Sequence, residues 1–363
     1  MKKAVIFSLI FWILILGALT AAPVYILTRE LIPTPDLFIT GTVASDVRGA
    51  AIVPTAAESE PPPEPVEIVL SFVGDCMLAT HLGGEWDLSF NKIAKAVEPS
   101  YFFENFIEMF TNDDWTIANL ENVFTDNPAA ATKAKNHSPA YWYKSTTANT
   151  AILNAGGIDV VSIANNHSTD YGDIGYADTC AALEEADILW GDDGHIVWLE
   201  KEGFTIALFC CTFYNDYYEA FITDKLVATE ADYKIVYFHG GTEREHVPDY
   251  WKSAGARRLI DNGADLVIGH HPHVLQPVEI YNGKTIIHSL GNFVFGGSRN
   301  EENRTIVYRR TLTLLEGELV DEADEIIPCY VYTDIYKPGI IENEAEIEAV
   351  FRFLRGESES PLK

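Results

Sequence analysis

Alternating apolar and polar blocks along the chain predict its secondary structure. Short apolar runs rich in β-branched and aromatic residues predict strands at residues 67–73, 115–120, 159–164, 205–211, 234–238, 266–268 and 285–288. Segments with helical spacing lie between several of these strands, at residues 146–155, 175–186 and 249–261. Strand–helix alternation of this kind is typical of an α/β domain.

The pattern changes towards the end of the chain. Asn282-Gly283 predicts a tight hairpin turn, because both residues adopt positive φ at little cost. Residues 305–334 predict further strands with less helix between them. Residues 341–355 have an amphipathic spacing that predicts a helix near the carboxyl terminus.

The start of the chain is apolar enough to span a bilayer. Lys2 and Lys3 precede an uncharged stretch of 25 residues, 4–28, and about 20 residues suffice for a transmembrane helix. Residues 20–22 have the small side chains of a signal-peptide cleavage site, but Pro23 follows them and the sequence remains apolar beyond it. We therefore favour an uncleaved anchor over a cleaved signal. The two lysines predict a cytoplasmic amino terminus and an extracellular main domain.

Composition divides the rest of the chain into three parts. Residues 30–65 are rich in Pro, Thr, Ala and Glu, so they cannot bury a core and predict an extended extracellular linker. Residues 66–335 contain the strand and helix pattern and predict the α/β domain. Residues 336–363 are assigned to a carboxyl-terminal tail.

The chain is strongly acidic. Its 54 acidic and 25 basic residues give a formal net charge of −29. Such a protein repels polyanions at long range, so we expect no nucleic-acid partner. An anionic substrate would need a local cluster of metal ions, Arg or Lys. The five cysteines contain no Cys-x-x-Cys pair and indicate no disulfide framework.

Polar residues recur at the carboxyl ends of the predicted strands, where α/β folds place their sites. They are Asp75, Asn119, Glu121, Asn165, Asn166, His167, His239, Glu243, His270, His271, His273 and Asn292. Imidazole, carboxylate and amide oxygen together suit Zn, Mn, Fe or a similar divalent ion. A buried hydrogen-bond network is the alternative interpretation, and we favour metal binding.

Six short motifs follow one another between residue 66 and about residue 300. They are Gly74-Asp75-Cys76-Met77-Leu78, Asn119-Leu120-Glu121, Ala164-Asn165-Asn166-His167, His239-Gly240-Gly241-Thr242-Glu243, Gly269-His270-His271-Pro272-His273 and Ser289-Leu290-Gly291-Asn292-Phe293. In this order they resemble the motif series of the CapA/PgsA family, which is described as taking part in capsule and poly-γ-glutamate synthesis. Each motif alone is weak, and the combination is specific.

The resemblance implies a metallophosphoesterase-like sandwich of β-sheets flanked by helices, with one or more divalent metal ions, Mn, Zn or Fe. The implied metal ligands are Asp75, Glu121, Asn166, His239, His271 and His273. Glu121 would be the bridging carboxylate, and His167 would be the catalytic acid or phosphate-orienting group. The residues implied to contact the substrate or support the ligands are Asn119, Asn165, Glu243, His270 and Asn292.

Two departures separate the chain from ordinary metallophosphoesterases. Met77 stands where their Asp-x-His start has its histidine, and Asn119-Leu120-Glu121 replaces their Gly-Asp-x-x-Asp motif. Both departures are shared with the CapA-like pattern. His288 stands where that family commonly has Tyr, and we expect it to pack near the site rather than to bind metal.

The resemblance and the predicted anchor together imply a protein of capsule or poly-γ-glutamate biosynthesis or export at the outer face of the cell membrane. Its implied partners are an anionic polymer or its precursor, the membrane, and other membrane subunits of capsule synthesis. Two alternatives remain open. One is a metal-dependent hydrolase of a phosphoester or a γ-glutamyl, peptide-like bond, and the other is a metal-free scaffold of a polymer-synthesis complex.

Overall fold

The computed structural model describes residues 63–358, apart from residues 85, 137, 214–215 and 298–302. The predicted membrane anchor at residues 4–28 and most of the predicted linker at residues 30–65 lie outside this part of the chain. Among the residues described, no helix combines the length and the apolar character needed to cross a membrane.

The described residues form strands and helices numbered in chain order. The strands are β1 (Val66–Met77), β2 (Thr80–His81), β3 (Trp115–Leu120), β4 (Val123–Phe124), β5 (Tyr143–Ser145), β6 (Val160–Ser162), β7 (Leu189–Gly191), β8 (Val197–Lys201), β9 (Phe204–Thr212), β10 (Tyr233–His239), β11 (Leu266–His270), β12 (Val278–Tyr281), β13 (Lys284–Ile287), β14 (Asn292–Phe295), β15 (Thr305–Leu315), β16 (Glu318–Asp334) and β17 (Lys337–Ile340). The helices are α1 (Phe90–Ile93), α2 (Ile107–Asn112), α3 (Thr150–Gly156), α4 (Gly172–Glu185), α5 (Asp216–Ala228), α6 (Tyr250–Asp261) and α7 (Glu344–Leu354).

The strands form two large sheets and one small one. The larger sheet has the order β17-β16-β15-β1-β3-β6-β7, and β14 pairs with the end of β1. The second sheet has the order β12-β13-β11-β10-β9-β8, and β2, β5 and β4 form the small sheet. Strands β1, β3 and β6 are parallel, as are β9, β10 and β11. Their carboxyl ends therefore provide the two sheet edges on which a site can be built.

The two large sheets share one hydrophobic core. It contains Phe72 and Ile117 from the larger sheet together with Leu208 and Ile268 from the second. Helices α3 and α4 pack on the other face of the larger sheet, and α5 and α6 pack on the other face of the second. Parallel strands covered on both faces are apolar almost throughout, as their sequences are. The predicted α/β sandwich of sheets flanked by helices is thus the architecture observed.

The predicted hairpin is confirmed, and the domain extends beyond its predicted boundary. Asn282 and Gly283 have φ angles of 50° and 78° and join β12 to β13. Past residue 335, where a tail was expected, β17 joins the larger sheet and α7 packs on the shared core. Val350 and Phe353 on α7 are buried. The amphipathic helix predicted in this region is therefore a structural part of the domain.

Strand β1 is longer than predicted, so Asp75 lies within a strand rather than after one. Residues Asp75 and Met77 pair with β14, which the sequence pattern did not predict. A Cβ atom on Gly74 would lie 2.2 Å from the carbonyl oxygen of Gly291. Only glycine allows this close approach, which brings the backbone of β1 against the turn that leads into β14.

Candidate metal centre

The carboxyl ends of strands from both sheets bring the predicted site residues together. Asp75 lies in β1 and Glu121 directly follows β3, both in the larger sheet. His239 ends β10 and His270 ends β11, both in the second sheet. Because these strands belong to the two sheets of one sandwich, the polar side chains at their ends meet in a buried centre.

Glu121 is fully buried and both of its carboxylate oxygens lack a hydrogen-bond partner among the described residues. Its Oε1 lies 3.6 Å from Nε2 of His239 and 4.0 Å from Nε2 of His167. Its Oε2 lies 3.8 Å from Nδ1 of His273. A buried carboxylate without hydrogen bonds is costly unless a cation compensates it. Burial raises the pKa of Glu121 well above its ordinary value.

Asp75 is held by three side chains. Asn119 donates from Nδ2 to Oδ1 over 2.8 Å, and Nδ1 of His270 lies 2.9 Å from the same oxygen. Nδ1 of His273 lies 3.0 Å from Oδ2. Burial raises the pKa of Asp75, but the hydrogen bonds from His270 and His273 outweigh it and hold that pKa well below the usual range. Asp75 is therefore an ionised ligand candidate.

Two three-residue groups have ligand atoms close enough to share a metal ion. Within each group these atoms lie within 4.8 Å of one another, and the groups are Asp75, Glu121 and His239, and Glu121, His271 and His273. Glu121 belongs to both groups, which is the position expected of a bridging carboxylate. Mixed imidazole and carboxylate donors of this kind suit Zn, Mn or Fe. The residues present therefore fit a divalent metal ion.

The histidines of the centre differ in their expected charge. Burial and the neighbouring His271 hold the pKa of His239 well below its ordinary value. Burial and the charge of His273 lower the pKa of His271 to about 3. Neutral imidazole is the form that binds metal. Burial lowers the pKa of His273 too, but Glu121 and Asp75 raise it to about 10 overall. The carboxylates of the centre thus attract positive charge.

Asn166 and the loop after β11 complete the centre. The Oδ1 atom of Asn166 lies 2.7 Å from Nε2 of His239, and Nδ1 of His271 lies 3.0 Å from that same nitrogen. His271 and His273 have positive φ angles of 95° and 60°, a backbone conformation that non-glycine residues rarely adopt. Strain of this type is commonly found at functional sites.

His167, the predicted acid, is oriented by a residue that the sequence analysis had given no role. Its Nδ1 lies 2.8 Å from Oδ2 of Asp170, whose other oxygen lies 2.6 Å from Nζ of Lys135. Tyr143 packs edge-on against the imidazole, with ring centroids 4.8 Å apart. Burial lowers the pKa of His167, although Asp170 acts in the opposite direction. The available signal was the spacing, with Asp170 three residues after His167.

The predicted supporting residues connect these ligand candidates. Asn119 lies between Asp75 and His239, with its Nδ2 3.1 Å from Nδ1 of His239. Asn165 donates to Oδ1 of Asn119 over 3.3 Å and accepts from the backbone N–H of His167 over 3.0 Å. These amides hold the strand ends in register around the centre.

The remaining predicted residues lie at its edge. Oδ1 of Asn292 lies 2.9 Å from Nδ1 of His273. Glu243 is exposed and lines a cavity of about 480 Å³ together with Asn166 and His167. His288 is paired with Glu279, with 3.3 Å between Nε2 and Oε2, and it belongs to neither ligand group.

The fold and the site together define an α/β sandwich protein with a buried carboxylate and histidine centre. The family model described as "Bacterial capsule synthesis protein PGA_cap" matches residues 69–297, which is more than half of the chain. The chain belongs to this family of bacterial capsule synthesis proteins.

Relatives with curated names agree with this family. The chain is 28% identical over 280 residues to "Capsule biosynthesis protein CapA" of Bacillus anthracis, covering 67% of this chain and 64% of that protein. It is 28% identical over 269 residues to "PGA biosynthesis protein CapA" of Bacillus subtilis, covering 66% of each. It is 27% identical over 249 residues to a "Probable polyglutamine synthesis accessory protein" of Mycobacterium tuberculosis, covering 59% and 63%. The match thus spans less than two thirds of the length of each of these relatives.

Solved structures give only distant likenesses. A hypothetical protein from Thermus thermophilus matches with a TM-score of 0.43 at 16% identity, covering 72% of this chain and 99% of that one. A protein titled a novel phosphatase, from Mycoplasma pneumoniae, matches with a TM-score of 0.45 at 14% identity, covering 73% and 95%. Likenesses at this level carry no functional argument.

Proposed function

We propose that this protein takes part in capsule or poly-γ-glutamate biosynthesis or export and has a metallophosphoesterase-like, metal-dependent hydrolytic site. The family supports the biological process, and the centre supports the chemistry. One observation carries the proposal. The buried Glu121 carboxylate lacks a hydrogen-bond partner among the described residues and is shared by two groups of ligand atoms.

The ligands we propose for the metal are Asp75, Glu121, Asn166, His239, His271 and His273. A divalent ion bound there would lower the pKa of a coordinated water towards about 7 and polarise a phosphoryl or carbonyl oxygen. Mn, Zn and Fe all suit this donor set.

His167 is proposed to supply the proton for the leaving group. Asp170 holds Nδ1 of the imidazole, and Nε2 lies 4.0 Å from Oε1 of Glu121. Nε2 is therefore oriented towards the centre, where a bound substrate would be. Positioned acid–base groups contribute about 10²- to 10⁴-fold to a rate. A phosphoester oxygen and the nitrogen of a γ-glutamyl bond both need such a proton on departure.

The test compares hydrolysis of glycerophosphocholine, a phosphodiester whose alkoxide leaving groups need a proton, and of γ-glutamyl-p-nitroanilide in the presence of Mn or Zn. Wild type should hydrolyse at least one of them, and His167→Asn should lower its rate by about 100-fold or more. His195→Asn is the matched control, because His195 is exposed and packs against Trp190. Equal rates for wild type and His167→Asn would remove His167 from the mechanism.

A metal-free scaffold is the competing function, and one observation favours it. Met77 replaces the histidine ligand of an Asp-x-His start and is buried in an apolar cluster with Tyr143 and Phe295. A scaffold role requires no metal at all. Elemental analysis of the purified protein separates the two functions directly.

We also propose that residues 4–28 anchor the protein in the cell membrane with the main domain outside, where other membrane subunits of polymer synthesis could contact it. Lys2 and Lys3 before the uncharged stretch support this orientation. Fractionation and protease treatment of intact cells test it. A main domain in the membrane fraction and accessible to protease is the expected result, and a protected domain would contradict it.

A further inference from the structure

A second cavity lies beside the small sheet, and none of the candidate metal ligands lines it. It measures about 510 Å³, and pockets that bind small ligands commonly measure about 300–1,000 Å³. It shares no lining residue with the cavity at His167. Tyr143 packs on His167, whereas Lys144, the next residue of β5, lines the second cavity. Successive side chains of a strand point to opposite faces, so β5 separates the two cavities.

Two lysines give this lining its positive charge. The Nζ atom of Lys144 lies 4.8 Å from the ring centroid of Tyr171, and Lys95 is an exposed side chain of the same lining. Neither lysine forms an ion pair with a carboxylate in the part of the chain that the structure describes. In a chain of net charge −29, two such ammonium groups in one cavity can attract an anion locally against the overall field.

Asn91 ties together the segments that carry the two lysines. Its backbone N–H donates to Oγ1 of Thr80 in β2 over 3.0 Å, and its Nδ2 donates to the carbonyl oxygen of Lys144 in β5 over 3.1 Å. Asn91 belongs to α1, which ends two residues before Lys95. The two lysines therefore come from separate elements whose backbones are fixed relative to each other.

Neutral donors line the same cavity. Thr80 lies opposite Lys144 in the register of β2 and β5, so both side chains lie on the same face of the small sheet. The Thr80 hydroxyl oxygen accepts from Asn91 and keeps its own proton to donate. Asn149 also lines the cavity, and its side-chain amide forms no hydrogen bond with the described residues. Two charged and two neutral side chains can thus donate to one ligand.

The lining contains one carboxylate, that of Asp126. It is exposed, and its Oδ2 already accepts from the hydroxyl groups of Thr146 and Thr147 and from the backbone N–H of Thr147. One carboxylate against two ammonium groups leaves the lining with a net positive charge.

This donor set suits a compact dianion better than a single carboxylate. A phosphate monoester has about 1.5 to 2 negative charges near neutral pH, spread over three terminal oxygens. Two ammonium groups and two neutral donors can surround such a group, and lysine is a common phosphate-binding residue. A carboxylate has only one charge and two oxygens to share among them.

We propose that this cavity binds a small phosphate monoester, which Lys95 and Lys144 hold with hydrogen bonds from Thr80 and Asn149. The site is separate from the proposed hydrolytic centre and does not depend on it.

Isothermal titration calorimetry of the full-length protein with glycerol 3-phosphate tests this site. The protein is first dialysed against a chelator, so that the phosphate cannot bind a metal ion at Glu121. We expect about one ligand per chain, and Lys95→Gln combined with Lys144→Gln should lower the affinity by about tenfold or more, because charge-assisted hydrogen bonds are lost. Lys92→Gln, an exposed change on α1, is the matched control and should bind like wild type.

Two further variants distinguish a lost charge from a damaged fold. Lys95→Arg combined with Lys144→Arg keeps both charges and should keep most of the affinity. Lys95→Gln alone, at an exposed position, should give a smaller loss in the same direction. Succinate, a dianion whose charges lie on two separate groups, should bind more weakly than glycerol 3-phosphate.

The proposal would be overturned by any of three results. They are no binding of glycerol 3-phosphate, equal affinity of wild type and the Lys95→Gln, Lys144→Gln variant, and equal affinity for succinate. Lysine-dependent binding in a protein that retains no metal would support this site and overturn only the metal-dependent function.

Discussion

The Nδ1 atom of His167 lies 2.8 Å from the Oδ2 atom of Asp170 in the loop that follows β6. The same Asp170 oxygen accepts from the backbone N–H of Tyr143 over 2.8 Å, and its partner oxygen lies 2.6 Å from Nζ of Lys135. Asp170 is buried, and its carboxylate contacts His167, Lys135 and Tyr143 at once. Because Asp170 occupies Nδ1 of His167, it is Nε2 that faces the metal centre.

Asp170→Asn should therefore lower the turnover number for glycerophosphocholine, whose leaving group needs a proton, without removing the metal. An amide can hold the imidazole but can stabilise its protonated form less well, so we expect a loss of about 10- to 100-fold. Asp173→Asn, an exposed change nearby on α4, is the control. A loss of metal in step with activity would show that Asp170 supports the centre itself rather than the acid.

Gly74→Ala should destabilise the fold. Its Cβ would lie 2.2 Å from the carbonyl oxygen of Gly291, and that oxygen also accepts from the backbone N–H of Asp75 over 2.8 Å. Relieving the clash must separate β1 from the turn before β14, at a cost of about 1–3 kcal/mol. Gly194→Ala, where the nearest atom is an Asp192 side-chain oxygen at 3.3 Å, is the control. Equal thermal unfolding midpoints for the two variants would contradict this.

Arg310→Met should also destabilise the protein. The buried guanidinium group pairs with Glu322 and with Asp324, and it donates to the hydroxyl oxygen of Tyr233 over 2.7 Å. Without it, Asp324 loses its cation and Glu322 keeps only its ion pair with Lys284, and we expect a loss of about 2–4 kcal/mol. Arg355→Met removes only exposed ion pairs and should change the free energy of unfolding little. Urea denaturation measures both, and equal effects would refute the buried-charge argument.

Lys252 should make stability depend on pH. It is fully buried, donates from Nζ to Oε1 of Gln276 over 3.0 Å, and has its pKa lowered by burial from 10.5 to about 7. Below pH 7 Lys252 stays charged in the folded state, so the full cost of burying its charge lowers the free energy of unfolding. Between pH 7 and 10.5 the folded state loses the proton while the unfolded state keeps it, so this contribution becomes more favourable as pH rises. Lys252→Met should lack this rise in denaturation experiments, and parallel pH profiles would contradict the argument.

Much of the fold could be predicted because the central strands are apolar runs followed at once by polar residues. The strand predicted at residues 234–238 is β10, and His239 ends it. The same physical pattern placed Glu121 after β3 and His270 at the end of β11. Parallel strands within each sheet place these ends at one edge of that sheet, and the motif series implied that the residues of the two sheets meet at one site.

Other features depend on tertiary contacts that a local pattern does not contain. Strand β14 has only four residues and exists because the carboxyl end of β1 offers it a partner. Helix α5 has weak amphipathic character in sequence, yet Ile222 and Leu226 on it are buried against the second sheet. Asp170 follows the Asn-Asn-His motif closely but was given no role, since its partners Lys135 and Tyr143 come from distant parts of the chain.

Metal content measured by elemental analysis tests the central claim most directly. Wild-type protein exposed to Mn, Zn or Fe and then dialysed should retain at least about one ion per chain. Glu121→Ala should lose most of it, because both ligand groups share that carboxylate. His288→Ala should keep wild-type content, since His288 pairs with Glu279. Wild-type protein that retains none of these metals, or a Glu121→Ala variant that retains as much as wild type, would contradict the account.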